Sequence, residues 1–251
     1  MIFGVERLEK SFGGFRVVDG CSLSLDKGEI VGLIGPNGAG KTTLFNLICG
    51  SLEPDGGEVF LDDQRITGWA PHRVASQGLV RTFQVPLLFD HLSTIENLLV
   101  GIPEQAGERF WNVWLRPRVV GMEERSNEDE AWSMLAFLNL TAVANQLARV
   151  LSGGQKKLLD LGRALMTRPR LLLLDEPVSG VNPVLAQEIA ARIRTLRERG
   201  YTLLIIEHNM DFIMEVVDRL YVMANGTVLR EGRPDDIRVD RAVLDAYLGV
   251  G

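Results

Sequence analysis

The stretch Gly35-Pro36-Asn37-Gly38-Ala39-Gly40-Lys41-Thr42-Thr43 constrains this chain more than any other, because it fits the pattern G-x-x-x-x-G-K-[ST]. Before it, Ile30, Val31, Leu33 and Ile34 form with Gly32 the apolar run of a buried strand. After it, Leu44, Leu47 and Ile48 fall at i, i+3 and i+4 and predict a helix from about Lys41. Glycines let successive N–H groups of Asn37, Gly38, Ala39 and Gly40 turn toward one point, where the helix N-terminus adds partial positive charge. Lys41 can reach terminal phosphates, Thr42 can offer its hydroxyl to Mg²⁺, and Thr43 continues the first turn. A glycine-rich turn with a chance lysine is the alternative, and the flanking strand and helix leave it little room. The ligand implied is a nucleoside triphosphate.

With 251 residues, a chain buries roughly 70 to 75% of its unfolded surface, enough for one domain with a subdomain and no covalent staple. A formal charge of −6 and a pI near 5.2 give no overall basic footprint, which weighs against nucleic acid as the main partner. No apolar run nears the roughly 18 residues of a spanning helix, and the start lacks a signal-peptide pattern, so a soluble, cytosolic chain is expected. Cys21 and Cys49 have no metal-type spacing and read as buried free thiols.

Taken in order, Gly4 to Leu25 reads as two or three strands, with Cys21, Leu23 and Leu25 alternating against Ser22, Ser24 and Asp26. Gly13-Gly14 supplies a turn, and Phe12 before it is either a core phenylalanine or an aromatic face for a base. Glu58 to Leu61 and Leu79 to Phe83 read as strands and Pro71 to Gln77 as a short helix. Gln84 follows. From Thr94 to about Leu151 the pattern is helical: Thr94 and Glu96 open one helix, and Ser126 with Asp129 resembles a capping box before Ala131 to Leu138. Phe110 to Leu115, with Trp111 and Trp114, and the following Arg116-Pro117-Arg118 either fill a small core or form an exposed docking patch.

Ser152-Gly153-Gly154-Gln155 stands before a helix with Leu158, Leu161 and Leu165 on one stripe, so it is a plain cap or a second anion site. Leu171 to Leu174 is a buried strand ending in Asp175 and Glu176, which places two carboxylates at the ligand crevice of an open α/β sheet. Asp175 can hold Mg²⁺ through water and Glu176 can deprotonate an attacking water. Pro183 starts a helix, with Leu185, Ile189, Ile193 and Leu196 inward, that Gly200 stops. Thr202 to Ile206 is the next strand and ends at Glu207-His208, where His208 can hydrogen-bond a phosphate. His72 and His91 are assigned no role. A hairpin turns about Asn225-Gly226, and Val239 to Leu248 reads as a terminal amphipathic helix.

With these elements placed, the sequence resembles the nucleotide-binding subunit of ATP-binding-cassette (ABC) transporters over essentially its whole length. What carries the resemblance is order and spacing: Lys41, Gln84, Leu151-Ser152-Gly153-Gly154-Gln155, Asp175-Glu176 and His208. It implies an α/β P-loop NTPase with a mostly parallel core sheet, an antiparallel β subdomain and a helical insertion. One cassette domain over 1–251 is expected, with the helical subdomain near 89–158 and a tail helix in 232–251. It also implies ATP and Mg²⁺ as cofactors, Phe12 stacked on adenine with Val17 or Val18 beside it, and Thr42, Gln84 and Asp175 around the metal. Gln84 would report the site's state to a membrane partner. Ser152 to Gln155 would bind the γ-phosphate held by a second subunit, so two chains would sandwich two ATP molecules. Glu176 would be the general base, with Lys41 and His208 taking up developing charge.

Arg81-Thr82-Phe83-Gln84, the insertion and the ending Leu244-Asp245-Ala246-Tyr247-Leu248-Gly249 look like the LivG-like branch, the ATPases of branched-chain amino acid importers. That likeness implies an ATPase peripheral on the cytoplasmic face of the membrane, working with a second cassette subunit, permease subunits and indirectly a solute-binding protein. Ser179-Gly180-Val181-Asn182 replaces the family's commoner Ser-Ala-Leu-Asp. The alternative is a soluble cassette scaffold, as in iron-sulfur cluster assembly. Nucleic-acid ATPases of this class need long coiled coils or two cassettes in one chain, and neither is present. A GTPase would need an Asn-Lys-x-Asp reader, which the sequence lacks.

Overall fold

Alternating and wholly apolar strands of this chain go to different sheets. The computed structural model describes residues 1–82, 84–108 and 110–248, without the side chains of 108, 110, 112, 113 and 248. Phe83, Gly249 and the side chain of Phe110 thus lie outside the described residues. In chain order the strands are β1 (Phe3–Phe12), β2 (Phe15–Leu25), β3 (Ile30–Ile34), β4 (Gly56–Leu61), β5 (Gln64–Arg65), β6 (Leu79–Arg81), β7 (Leu171–Asp175), β8 (Leu203–Ile206), β9 (Arg219–Ala224) and β10 (Thr227–Gly232). The chain forms two compact units, Met1–Gln84 with Arg170–Gly251, and Val85–Pro169. The second runs beyond the expected 89–158 at both ends.

The first unit holds both sheets. An antiparallel sheet has the order β2-β1-β4-β5, and a six-stranded sheet has the order β10-β9-β3-β8-β7-β6, parallel from β9 to β6 with β10 antiparallel at its edge. β3, β7 and β8 are buried at every position, as strands covered on both faces must be. In β2 burial alternates through Cys21, Leu23 and Leu25, and these residues share one apolar core with the helix Lys41–Ile48. Cys21 and Cys49 are buried free cysteines, and burial pushes both thiols up to about 11. β9 and β10 close as a hairpin over Asn225 and Gly226, both at positive φ.

The second unit is helical among its described residues. Thr94–Leu99 starts at Ser93, whose side chain accepts from the Glu96 N–H while Glu96 accepts in return, so the cap lies one residue earlier than Thr94. Pro117–Phe137 is one unbroken helix. The capping box expected at Ser126 and Asp129 is therefore wrong: Val120, Asn127, Ala131 and Leu135 make one buried stripe across it, and that burial outweighs a local cap worth about 1 kcal/mol. Gly162 allows close helix packing, since a Cβ there would lie 2.3 Å from Leu138 Cδ1. Asn97 is fully buried, and its amide accepts from the Phe89 N–H and donates to Phe89, Leu92 and Ser93 carbonyls.

Two boundaries shift as well. β6 ends at Arg81 rather than Phe83. The terminal helix expected over Val239 to Leu248 is Arg241–Leu248, and a separate short helix, Pro234–Val239, precedes it in the tail, because Asp240 turns extended and its carboxylate caps the Ala242 and Val243 N–H groups.

Candidate active site

The phosphate loop leaves β3 where its strand neighbours β8 and β9 lie on either side. Two glycines there are sterically required. Gly35 has φ 152 and a Cβ on it would sit 2.0 Å from the Met223 carbonyl; Gly40 has φ 98 and would meet the Val17 carbonyl at 2.5 Å. The helix Lys41–Ile48 begins with no side-chain cap and no acid in its first turn, so its orphan N–H groups are left to an anion. Asn37 and Gly38 are exposed, Ala39 and Gly40 buried, and Thr42 exposed beside a half-buried Thr43. Lys41 Nζ folds back to donate to the Gly35 carbonyl at 2.7 Å and the Pro36 carbonyl at 3.0 Å. Burial draws its pKa below the usual lysine range, against the opposing pull of the Glu176 charge.

β7 delivers Asp175 and Glu176 at its carboxyl end. Glu176 takes a left-handed φ of 48, unusual for a non-glycine and a conformation that costs about 1 kcal/mol or more. Its N–H donates to the Ile206 carbonyl at 2.9 Å. Gln84 Nε2 donates to Glu176 Oε2 at 2.8 Å, and His208 Nδ1 lies 3.6 Å from Glu176 Oε1. One carboxylate is thus flanked by an amide and an imidazole, and His208 is exposed enough to meet a ligand. Asp175 Oδ2 is held at 2.7 Å by Arg81, whose other nitrogen donates to Asn46 at 2.6 Å on the phosphate-loop helix. Both members of that ion pair are about nine-tenths buried.

Arg81, Asn46 and Glu207 were not singled out as site residues from the sequence. Arg81 appears there only within the stretch that marks the LivG-like branch, and nothing local says that it reaches from β6 to β7.

Phe12 is 47% exposed beside the Gly13-Gly14 turn, facing Phe15 across it, so the core reading fails and an aromatic face is presented to solvent. Val18, one of the two valines expected beside the adenine, is a correction: it is 0% exposed within the core and has no surface for a ligand, because a register shift in the β1–β2 pairing between Val18 and Cys21 breaks the alternation, turns Val18 inward and leaves half-buried Val17 as its outward neighbour. Trp111 and Trp114 are 72% and 75% exposed, so they do not fill the helical unit's core.

Ser152 caps the helix Gly153–Met166 in a reciprocal box with Gln155: its hydroxyl accepts from the Gln155 N–H, and Gln155 Oε1 accepts from the Ser152 N–H. Ser152 and Gly153 are nonetheless exposed, which leaves the hydroxyl proton and the glycine backbone to a ligand. Asn182 caps the helix Pro183–Glu198 by accepting from the Leu185 N–H at 2.9 Å, a role for which an amide serves as well as an acid.

Thr42, Asp175 and Gln84 present a hydroxyl, a carboxylate and an amide, and no cage of three His, Cys, Asp or Glu side chains exists among the described residues. An all-oxygen set with few protein ligands suits Mg²⁺, which keeps waters and phosphate oxygens as its other partners.

The family model for ABC transporters matches residues 18–179. The chain is 40% identical over 252 residues to the probable branched-chain amino acid transport ATP-binding protein LivG of Methanocaldococcus jannaschii, covering 99% of this chain and 97% of that one. It is 40% identical over 249 residues to the high-affinity branched-chain amino acid transport ATP-binding protein BraF of Pseudomonas aeruginosa, covering 99% and 98%. Among solved structures, the ADP conformation of MJ1267, an ATP-binding cassette of an ABC transporter, superposes with a TM-score of 0.84 at 39% identity over 99% of this chain and 98% of that one.

Proposed function

The chain belongs to the ABC transporter family, and on that premise we propose that it is the ATP-hydrolysing subunit of an importer for branched-chain or related amino acids. The observation that carries the ATPase reading is the grouping of Gln84, Glu176 and His208 at the mouth of a phosphate loop whose helix is uncapped. The solute class rests on relatives of matching full length that are named for branched-chain amino acid transport.

In this reading Lys41 leaves the Gly35 and Pro36 carbonyls for the terminal phosphates of ATP, and the loop N–H groups cradle them. Phe12 offers its ring to the adenine. Glu176 accepts a proton from the water as the water oxygen bonds to the γ-phosphorus and the bond to the bridging oxygen of ADP breaks. Gln84 holds the Glu176 carboxylate in place, and His208 takes up charge on the transferred phosphoryl group. Thr42, Asp175 and Gln84 would hold Mg²⁺, which neutralises phosphate charge when bound. Ser152 to Gln155 serve an ATP carried by a second cassette, identical or paralogous. Among the described residues no helix is long and apolar enough to cross a membrane. The relatives named for branched-chain amino acid transport support a subunit that works against the cytoplasmic face through permease partners.

Affinity capture of the tagged Glu176→Gln chain with ATP from solubilised membranes tests this. Permeases and a second cassette in the eluate are the expected result. Recovery of soluble assembly proteins alone would keep the ATPase and replace the importer with the scaffold reading.

A further inference from the structure

Glu207 is the most deeply buried acid near the site, with a side chain 0% exposed. It directly follows β8, and three backbone N–H groups converge on it. Val178 donates to Oε1 at 3.0 Å, while His208 and Asn209 donate to Oε2 at 2.8 and 3.0 Å. The Val178 donor belongs to the loop that follows Glu176; the other two belong to the loop that carries the His208 imidazole. Each carboxylate oxygen thus holds one loop. The same two loops are tied beside it by the Glu176 N–H to the Ile206 carbonyl, so the crossing is fixed at two points.

A buried charge is costly unless hydrogen bonds meet it, and hydrogen bonds to a carboxylate are the short, strong kind. Here the compensation is spent on geometry. Glu176 and His208 follow different strands, β7 and β8, yet their side chains lie 3.6 Å apart. Their separation depends on how the Val178 loop sits against the His208 loop.

We propose that Glu207 is a positioning residue for hydrolysis, a carboxylate clamp that sets the distance between Glu176 and His208 without touching the nucleotide. This rests on the assignment of Glu176 and His208 to the reaction. Glutamine is the sharp probe: it keeps the volume, but one carboxylate oxygen becomes an NH₂ that must face an N–H donor on one loop or the other.

The test is steady-state phosphate release by the full chain in its assembled transporter, alongside ATP affinity and thermal midpoint, for Glu207→Gln, Glu207→Asp and Glu176→Gln. The expected result for Glu207→Gln is a turnover loss of about tenfold to a hundredfold, the scale of a displacement near 1 Å in a reacting pair. KM for ATP should stay within about threefold, since the phosphate loop is untouched. A purely structural role would lower the midpoint and leave turnover per folded molecule unchanged, and that outcome overturns the proposal. Should Glu207→Gln not fold, Glu207→Asp decides: it keeps the charge and withdraws from one loop, and wild-type turnover in it overturns the clamp. Activity in Glu176→Gln would instead bring down the underlying assignment, so the two failures are distinct.

Discussion

The two units of this molecule build their ligand-facing groups in opposite ways. In the sheet-bearing unit the acidic part of the site is held by residues distant in the sequence: Glu176 by Gln84, Asp175 by Arg81, which also reaches Asn46, and the loop at Val178 by Glu207. In the helical unit Ser152 and Gln155 satisfy each other three residues apart, at the end of the helix they start. A site assembled from strand ends shares its stability with the core, whereas a self-capped helix end can change locally.

The difference can be broken by mutation. Arg81→Met should cost most, about 3 to 5 kcal/mol in urea unfolding, because it strands the buried Asp175 carboxylate; the double variant with Asp175→Leu should regain most of that loss. Glu176→Gln should reduce phosphate release at least about a hundredfold, or about 2.7 kcal/mol, with ATP binding retained. Equal turnover in that variant would remove Glu176 from the reaction.

Ser152→Ala should cost about 1 kcal/mol, seen as faster amide exchange in the first turn of Gly153–Met166. On the proposal that Ser152 serves another chain's ATP, nucleotide affinity of the lone chain should stay constant; a loss there would make Ser152 part of its own chain's site. The smallest effect belongs to Trp114→Ala, within about 0.5 kcal/mol by thermal unfolding, since its side chain is mostly solvated. A larger loss would show that the ring supports the helical unit.

How far each feature was legible follows the reach of its signals. The phosphate loop, the buried strands at Ile30 and Leu171 and the Asn225-Gly226 hairpin are written in adjacent residues, and the structure has them. Which of Val17 and Val18 faces outward was not legible, because the face of a strand depends on which side meets the core, and the register shift between Val18 and Cys21 reverses it. The Ser126 cap failed for the converse reason: it is a short-range preference near 1 kcal/mol that packing overrides, while the terminal helix is present but starts at Arg241 instead of Val239 because Asp240 caps it.

From the sequence alone came the family, the order of the site groups and the chemistry open to Lys41, Glu176 and His208, because residue type and spacing decide what a group can donate, accept or bind. Only the tertiary structure decided that Arg81 holds Asp175, that Glu207 ties two loops, that Phe12 faces solvent and that Val18 does not. Those are contacts between residues far apart in the chain. They exist once strands pair and a core excludes water, which no local pattern records.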